Sequence, residues 1–448
     1  MALGDVSNMD EYEENMELQR VVGLVEEEEW GVAPEIRAPD FHIEVTKSSI
    51  SIDGDPLELE SGLSRDLRTV RTGPYVPNPE FEGVAELKTI GHFLKGALGE
   101  YVFTEGNPGE MNTHEIYGLN NMLLPSFTLY GHMDLFAKEV TGFMIDEFGI
   151  EVSDEWMHIS VKGVAKKDTK ADGVPAPTEL KLIKSAIPLA FYDVSLEFDG
   201  EVPAGVISSF SWNLKNNLSP DKARGLGSRF LQKKPIAGKR ESEMELETTL
   251  EPETLKYIEM FEYGEEGANT ASECKLTTVP LKIVISACER PDEKLTILFP
   301  DTLCTIEYDA SGSDMIEPKI TMKSLATTNT TLKDGETEVM AGVVCTLENN
   351  MPEIRPGGID MLIEPVAAFS GIPLSGEAPL TVQFTNTSIG EGNSYVWDFG
   401  DDSPTVTTVN PQHTYTDAGS YTVSLTAINS EGENTETKTG YITVTGGD

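Results

Sequence analysis

Glu243, Glu245 and Glu247 stand at every second position of one short run, a spacing that puts three carboxylates on one face of a strand. Met244, Leu246 and Thr248 alternate with them and would face a core. Just upstream lies a loop carrying Lys222, Arg224, Arg229, Lys233, Lys234, Lys239 and Arg240. A carboxylate row repels phosphate; a basic loop in an acidic chain pairs with acidic surface. Neither is catalytic chemistry, and the usual catalytic spacings are missing. The chain has no H-E-x-x-H, G-x-S-x-G or P-loop pattern. Its six histidines (His42, His92, His114, His132, His158, His413) are scattered. Cys274, Cys288, Cys304 and Cys345 form no C-x-x-C pair, which argues against a zinc site. Carboxylate pairs carry no glycosidase signal among 76 acidic residues.

The elements around these residues read as mostly strand. Phe210, Trp212 and Leu214 alternate with Ser209, Ser211 and Asn213 ahead of the basic loop. After the glutamate run, Pro252 opens a helix with Leu255, Ile258 and Phe261 on one face, and Gly264 stops it. An earlier stretch has the same order. A loop with Arg65, Arg68 and Arg71 precedes Glu80 and Glu82, then a helix carries Leu87, Ile90, Leu94 and Leu98 before Gly99. Pro125–Leu129 and Pro280–Val284 then resume as strands. The order of elements suggests an internal duplication at low identity. The divisions expected are an acidic N-terminal arm (1–38), a first half (39–166), a Lys/Pro-rich linker (167–184), a second half (185–352), a linker (353–364) and a compact all-β unit (365–448). Asp10 to Glu29 of the arm could reach a neighbour or stay disordered.

With 33 basic residues the 448-residue chain has a formal net charge of −43, which speaks against binding nucleic acid by neutralising phosphates. The acidic start lacks a basic stretch followed by an apolar core, and no apolar run is long enough to span a membrane; the expectation is no signal peptide and no membrane insertion.

Two resemblances follow. Tyr395-Val396-Trp397-Asp398-Phe399-Gly400-Asp401, followed by Pro411-Gln412-His413-Thr414-Tyr415 and Gly419-Ser420-Tyr421-Thr422-Val423, resembles a PKD domain, an immunoglobulin-like β-sandwich. Trp397 and Phe399 would alternate into its core while Gly400-Asp401 turns. Asp398, Asp401 and Asp402 could hold Ca²⁺, or could be a solvated turn; the expectation is no cofactor. The earlier residues resemble the major tail proteins of long-tailed (siphovirus-like) phages and archaeal viruses. The matching pieces are Trp30-Gly31-Val32-Ala33-Pro34, Phe81-Glu82-Gly83, Leu123-Leu124-Pro125-Ser126-Phe127-Thr128, Ser209 to Leu218, and Leu226-Gly227-Ser228-Arg229.

The resemblance implies a mainly β chain with two tandem tail-tube domains, each with one short helix, and a C-terminal PKD sandwich. It implies a homo-oligomeric ring stacked into a tube that DNA traverses without specific binding, with other tail proteins at the tube ends. A trimer is favoured over a hexamer if the halves are duplicates. On that reading Glu80, Glu82, Glu243, Glu245 and Glu247 face the lumen, the alternative being a solvated outer face. Arg65, Arg68, Arg71, Arg224, Arg229, Lys233 and Lys234 contact the adjacent ring, the alternative being a solvated loop. The PKD module would project outward for decoration or host contact. The protein would belong to the virion tail and be assembled in the host cytoplasm. The other readings are a secreted or cell-surface adhesive protein and, third, a PKD-bearing hydrolase.

Overall fold

The computed structural model describes residues 20–34, 41–53, 57–59, 69–107, 110–119, 122–133, 136–153, 155–170, 183, 186–198, 200–202, 207–248, 252–263, 278–309, 317–356, 365, 367–388, 394–429 and 432–446. Contacts divide the chain into two units, 1–182 with 186–359 and 183–185 with 360–448.

In the first unit six strands close on themselves: β1 (Arg20–Glu26), β2 (Phe41–Asp53), β3 (Val76–Val84) and, after an intervening pair, β4 (Glu100–Thr104) and β5 (Asn112–Tyr117), then β6 (Phe127–Met133), β7 (Phe136–Val152) and β8 (His158–Val164). The ladders run β1–β2–β3–β8–β7–β6 and back to β1, all antiparallel, so this half is a barrel without free ends. β2 and β7 are long because each pairs with one neighbour along its first part and with another along its second. β1 and β3 take residues 41–44 and 45–53 of β2; β6 and β8 take 136–143 and 144–151 of β7. The helix α1 (Ile90–Leu98) lies wholly buried. Gly99 ends it at φ 98°, a conformation that costs glycine little, and its N–H reaches the Lys95 carbonyl.

β1 corrects the sequence reading. Residues 20–26 of the expected arm are core strand: Val21, Val22, Leu24 and Val25 are buried. A strand with ladders on both edges and apolar contacts on both faces reads as a continuous apolar run, not as an alternation. The opening of the expected linker is also strand, β9 (Lys167–Lys170), paired to β7.

The second half repeats the succession with β10 (Val194–Phe198), β11 (Ile207–Lys215), β12 (Glu241–Thr248), α2 (Pro252–Tyr263), β13 (Val279–Ser286), β14 (Lys294–Asp309) and β15 (Glu317–Leu325). Its ladders run β11–β12–β15–β14–β13–β10. The halves are interlocked. β11 pairs with residues 147–152 of β7, and the β4–β5 hairpin of the first half pairs with β16 (Val344–Asn349), which pairs with β14. One sheet of 16 strands results.

His92 on α1 is buried against the Phe41 ring, centroids 4.7 Å apart. Burial, with Lys95 and His114 nearby, holds its imidazole down at about 3. A histidine depressed in the fold keeps its contribution above its ordinary value near 6.5 and loses it as pH falls toward 3. His92→Leu should therefore match the parent at pH 8 and resist acid better. At pH 4.5 the gain expected is about 2 kcal/mol, read as a shift in urea midpoint.

The second unit is a sandwich of β17 (Phe369–Ile372), β19 (Leu380–Asn386) and β21 (Gln412–Tyr415) against β18 (Ser375–Glu377), β20 (Ser394–Asp398), β22 (Gly419–Asn429) and β23 (Gly432–Thr445). Trp397, Phe399, Phe384 and Tyr415 fill its centre.

Candidate functional site

The ladders place the glutamates. In register across β2, β3, β8, β7, β11, β12, β15 and β14 lie Lys47, Glu82, Ser160, Gly149, Asn213, Glu243, Lys323 and Leu303. The next row reads Ser49, Glu80, Lys162, Glu147, Lys215, Glu241. On the other side come His158, Glu151, Ser211, Glu245, Thr321, Thr305, and then Ser209, Glu247, Lys319, Glu307. Side chains two apart share a face, so eight strands present one polar surface; Phe81, Ile159, Val161, Phe148, Ile150, Trp212, Met244, Leu246 and Met322 are buried behind it. Glu80, Glu82, Glu243, Glu245 and Glu247 therefore stand on one sheet face despite their separation in sequence.

The row is not a bare carboxylate wall. Lys47 Nζ lies 3.2 Å from Glu80 and 2.7 Å from Glu82. Lys323 reaches Glu243 at 3.4 Å and Lys319 reaches Glu245 at 2.8 Å. Glu147 takes both Lys215 at 2.8 Å and Lys162 at 3.5 Å. The Lys215 hydrogen bond first, and Lys162 next, hold the Glu147 carboxyl below the ordinary range. Such exposed pairs contribute about 0–1 kcal/mol each, so their main effect is on the field above the sheet. The four rows hold nine glutamates and five lysines, so the face stays acidic after pairing. Between Glu80, Glu147, Lys215 and Glu243 the surface dips into an open depression of about 420 Å³.

The basic loop between β11 and β12 folds back on its own chain. Leu218, Ala223, Leu231 and Ala237 pack on Val76, Leu124, Met144 and Val164 of the first half. Arg224 pairs with Asp221 at 3.2 Å. Arg229 Nε donates to the Gly73 carbonyl at 2.8 Å and its guanidinium sits over the Tyr75 ring. Lys234 is half-buried and lowered by that burial, with Glu27 and Glu26 opposing the shift. Lys233 and Arg71 are exposed. Arg65 and Arg68 lie outside the described residues. Three of the seven cations expected to contact another ring thus have partners inside the subunit. Arg240 explains another part of the loop's charge. It donates to the Leu98 carbonyl at 2.9 Å, while Asn216 Nδ2 donates to Ala97 at 2.9 Å, so together they cap the C-terminus of α1.

In the second unit Asp398 accepts the Gly400 N–H at 2.9 Å and Asp401 accepts Ser403 Oγ at 2.5 Å and meets His413 Nε2 at 2.7 Å. Gly400 has φ 74°, and a Cβ there would lie 2.1 Å from the Thr422 carbonyl. Trp397 Nε1 donates to Thr408 O at 3.0 Å. These carboxylates therefore hold the turn itself.

The site is a broad, pair-rich polar sheet face of a mainly β protein. Residues 18–286 match the family model of the phage tail tube protein, and 364–444 match that of the PKD domain. The chain belongs to the phage tail tube protein family and carries a C-terminal PKD domain. No curated protein matches it. Among solved structures it is similar to the PKD1 domain of Vibrio anguillarum Epp, at 36% identity over 19% of this chain and 100% of that one, TM-score 0.16. It is likewise similar to the PKD1 domain of the Vibrio cholerae metalloprotease PrtV, at 38% identity over 18% of this chain and 98% of that one, TM-score 0.16.

Proposed function

We propose that copies of this chain join edge to edge into a ring, three in preference to six, and that stacked rings make a tail tube for viral DNA. The eight-stranded polar face lines the bore. One observation carries the reading: the joint inside the chain leaves its two complementary halves open at the ends. Within the chain, residues 147–152 of β7 pair with β11 on the side where β6 pairs earlier. The equivalent stretch of β14, residues 303–309, pairs with β15 on one side and with no described strand on the other. The equivalent of β11 is β2, whose residues 46–53 pair with β3 and with no described strand opposite. Open edges are templates for pairing, and a head-to-tail joint that closes makes a ring. Lys47 stands on one open edge and Glu307 on the other, which favours their approach. Two such units per chain make three chains the counterpart of a sixfold ring.

The net-acidic face suits passage of a polyanion without capture. Lys233 and Arg71 remain for contact between rings, and the PKD module serves decoration or weak surface adhesion. Negative-stain microscopy of the purified chain should show rings and tubes. Native mass measurement should give a species at three times the 48.9 kDa chain mass. A monomer at every concentration would overturn the reading, and a sixfold species would overturn the trimer.

A further inference from the structure

We infer that Glu147 masks two lysines at once and so keeps the DNA-facing wall from gripping phosphate; the placing of that wall in the bore rests on the function proposed above. On the polar face Lys47, Lys319 and Lys323 each have a carboxylate not shared with another lysine of the face. Lys162 and Lys215 flank Glu147 on adjacent strands and share it. Cross-strand register fixes this: Lys162, Glu147 and Lys215 are direct neighbours on β8, β7 and β11. The joint between the two halves therefore runs through Glu147, and the same carboxylate neutralises a cation from each side of it.

The consequence separates local masking from net charge. Glu147→Gln and Glu247→Gln remove one negative charge each from the same face. Only the first removes a carboxylate ion-paired to lysines, leaving Lys162 beside Glu80 and Lys215 beside Glu241 in register; Glu247 accepts a hydrogen bond from Ser209 and flanks Lys319, which keeps its pair with Glu245 at 2.8 Å. Two ammonium groups per chain without their shared carboxylate, repeated around a ring, form a belt able to contact successive phosphates, with affinity that falls steeply between about 50 and 200 mM salt.

The test measures binding of a short mixed-sequence DNA duplex to assembled tubes at low salt, by fluorescence anisotropy. Glu147→Gln should bind at least about tenfold tighter than the parent and lose the gain on adding salt, whereas Glu247→Gln should behave as the parent. Equal effects of the two variants, or none from Glu147→Gln, would overturn the inference. A second variant covers a failure of Glu147→Gln to assemble. Lys162→Gln with Lys215→Gln should leave the parent's weak binding unchanged, since masked lysines contribute nothing; a fall in binding would overturn it. If Glu147→Gln binds the duplex as single chains but not as tubes, the masking stands and the lumen placement falls.

Discussion

Proline at one of two consecutive edge residues, Thr305 or Ile306, stops ring formation and leaves a folded monomer. Backbone N–H groups of an antiparallel strand point alternately to its two sides. Of these two residues, one therefore aims its N–H at β15 and the other at the open edge. Both lie in the stretch of β14 paired only to β15 among the described residues, Thr305 opposite Thr321 and Ile306 opposite Ile320. Proline at the outward position removes a donor that the single chain does not use, and its ring blocks an approaching strand; sheets tolerate proline at such edges. Proline at the inward position breaks the β14–β15 ladder and costs stability as well. The model for the lost contact is the β7–β11 joint, which pairs six residues on each strand. Losing one donor and meeting a ring clash there should raise the protein concentration needed for assembly by about 100-fold, or about 2.7 kcal/mol. Light scattering for assembly and circular dichroism for folding separate the outcomes. If both prolines leave assembly intact with the fold preserved, that edge is not an interface.

How far the chain discloses itself in sequence depends on the range of each interaction. The alternations at 208–215 and 241–248, and the Gly99 stop of α1, depend on residues within a turn or two and are plain in the sequence. The PKD turn is similar, because Trp397, Asp398, Gly400 and Asp401 complete their bonds within a short span. β1 is not plain, since a strand covered on both faces loses its period and acidic neighbours disguise it. Nor are the lysine partners of the glutamates. Lys47 is 33 residues from Glu80, and Lys162 and Lys215 reach Glu147 only through ladders between three strands. The basic loop's bonds within the subunit are hidden for the same reason: Arg229 and Arg240 bond carbonyls of the first half across 156 and 142 residues.

Lys95→Met should be the most destabilising single change on α1, and a second substitution should reverse most of it. Lys95 Nζ lies 2.7 Å from Glu26 Oε2, donates to the Ile354 carbonyl at 2.8 Å and stands 4.8 Å above the Tyr101 ring. It thus ties the helix to β1, to the β4–β5 hairpin and to the end of the first unit. Both charged side chains are at least nine-tenths buried, at 9% and 6% exposure. Burial already raises the Glu26 carboxyl above its usual range, with Lys95 pulling it back. Removing the ammonium leaves a buried carboxylate without its main counter-charge, a change that costs about 3–5 kcal/mol. The cost should depend on pH in a definite direction. A carboxyl raised in the fold binds its proton more tightly there than in the open chain, so its contribution is full at low pH and lost as pH rises. Lys95→Met should therefore be worse at pH 8 than at pH 5. Adding Glu26→Leu removes the stranded charge and should bring stability close to the parent or above it, as apolar replacements of buried pairs often do. Urea midpoints of the two singles and the double at both pH values decide the matter. Additive losses in the double would mean that Lys95 acts through its carbonyl and ring contacts, and that the ion pair is incidental to how the helix is held.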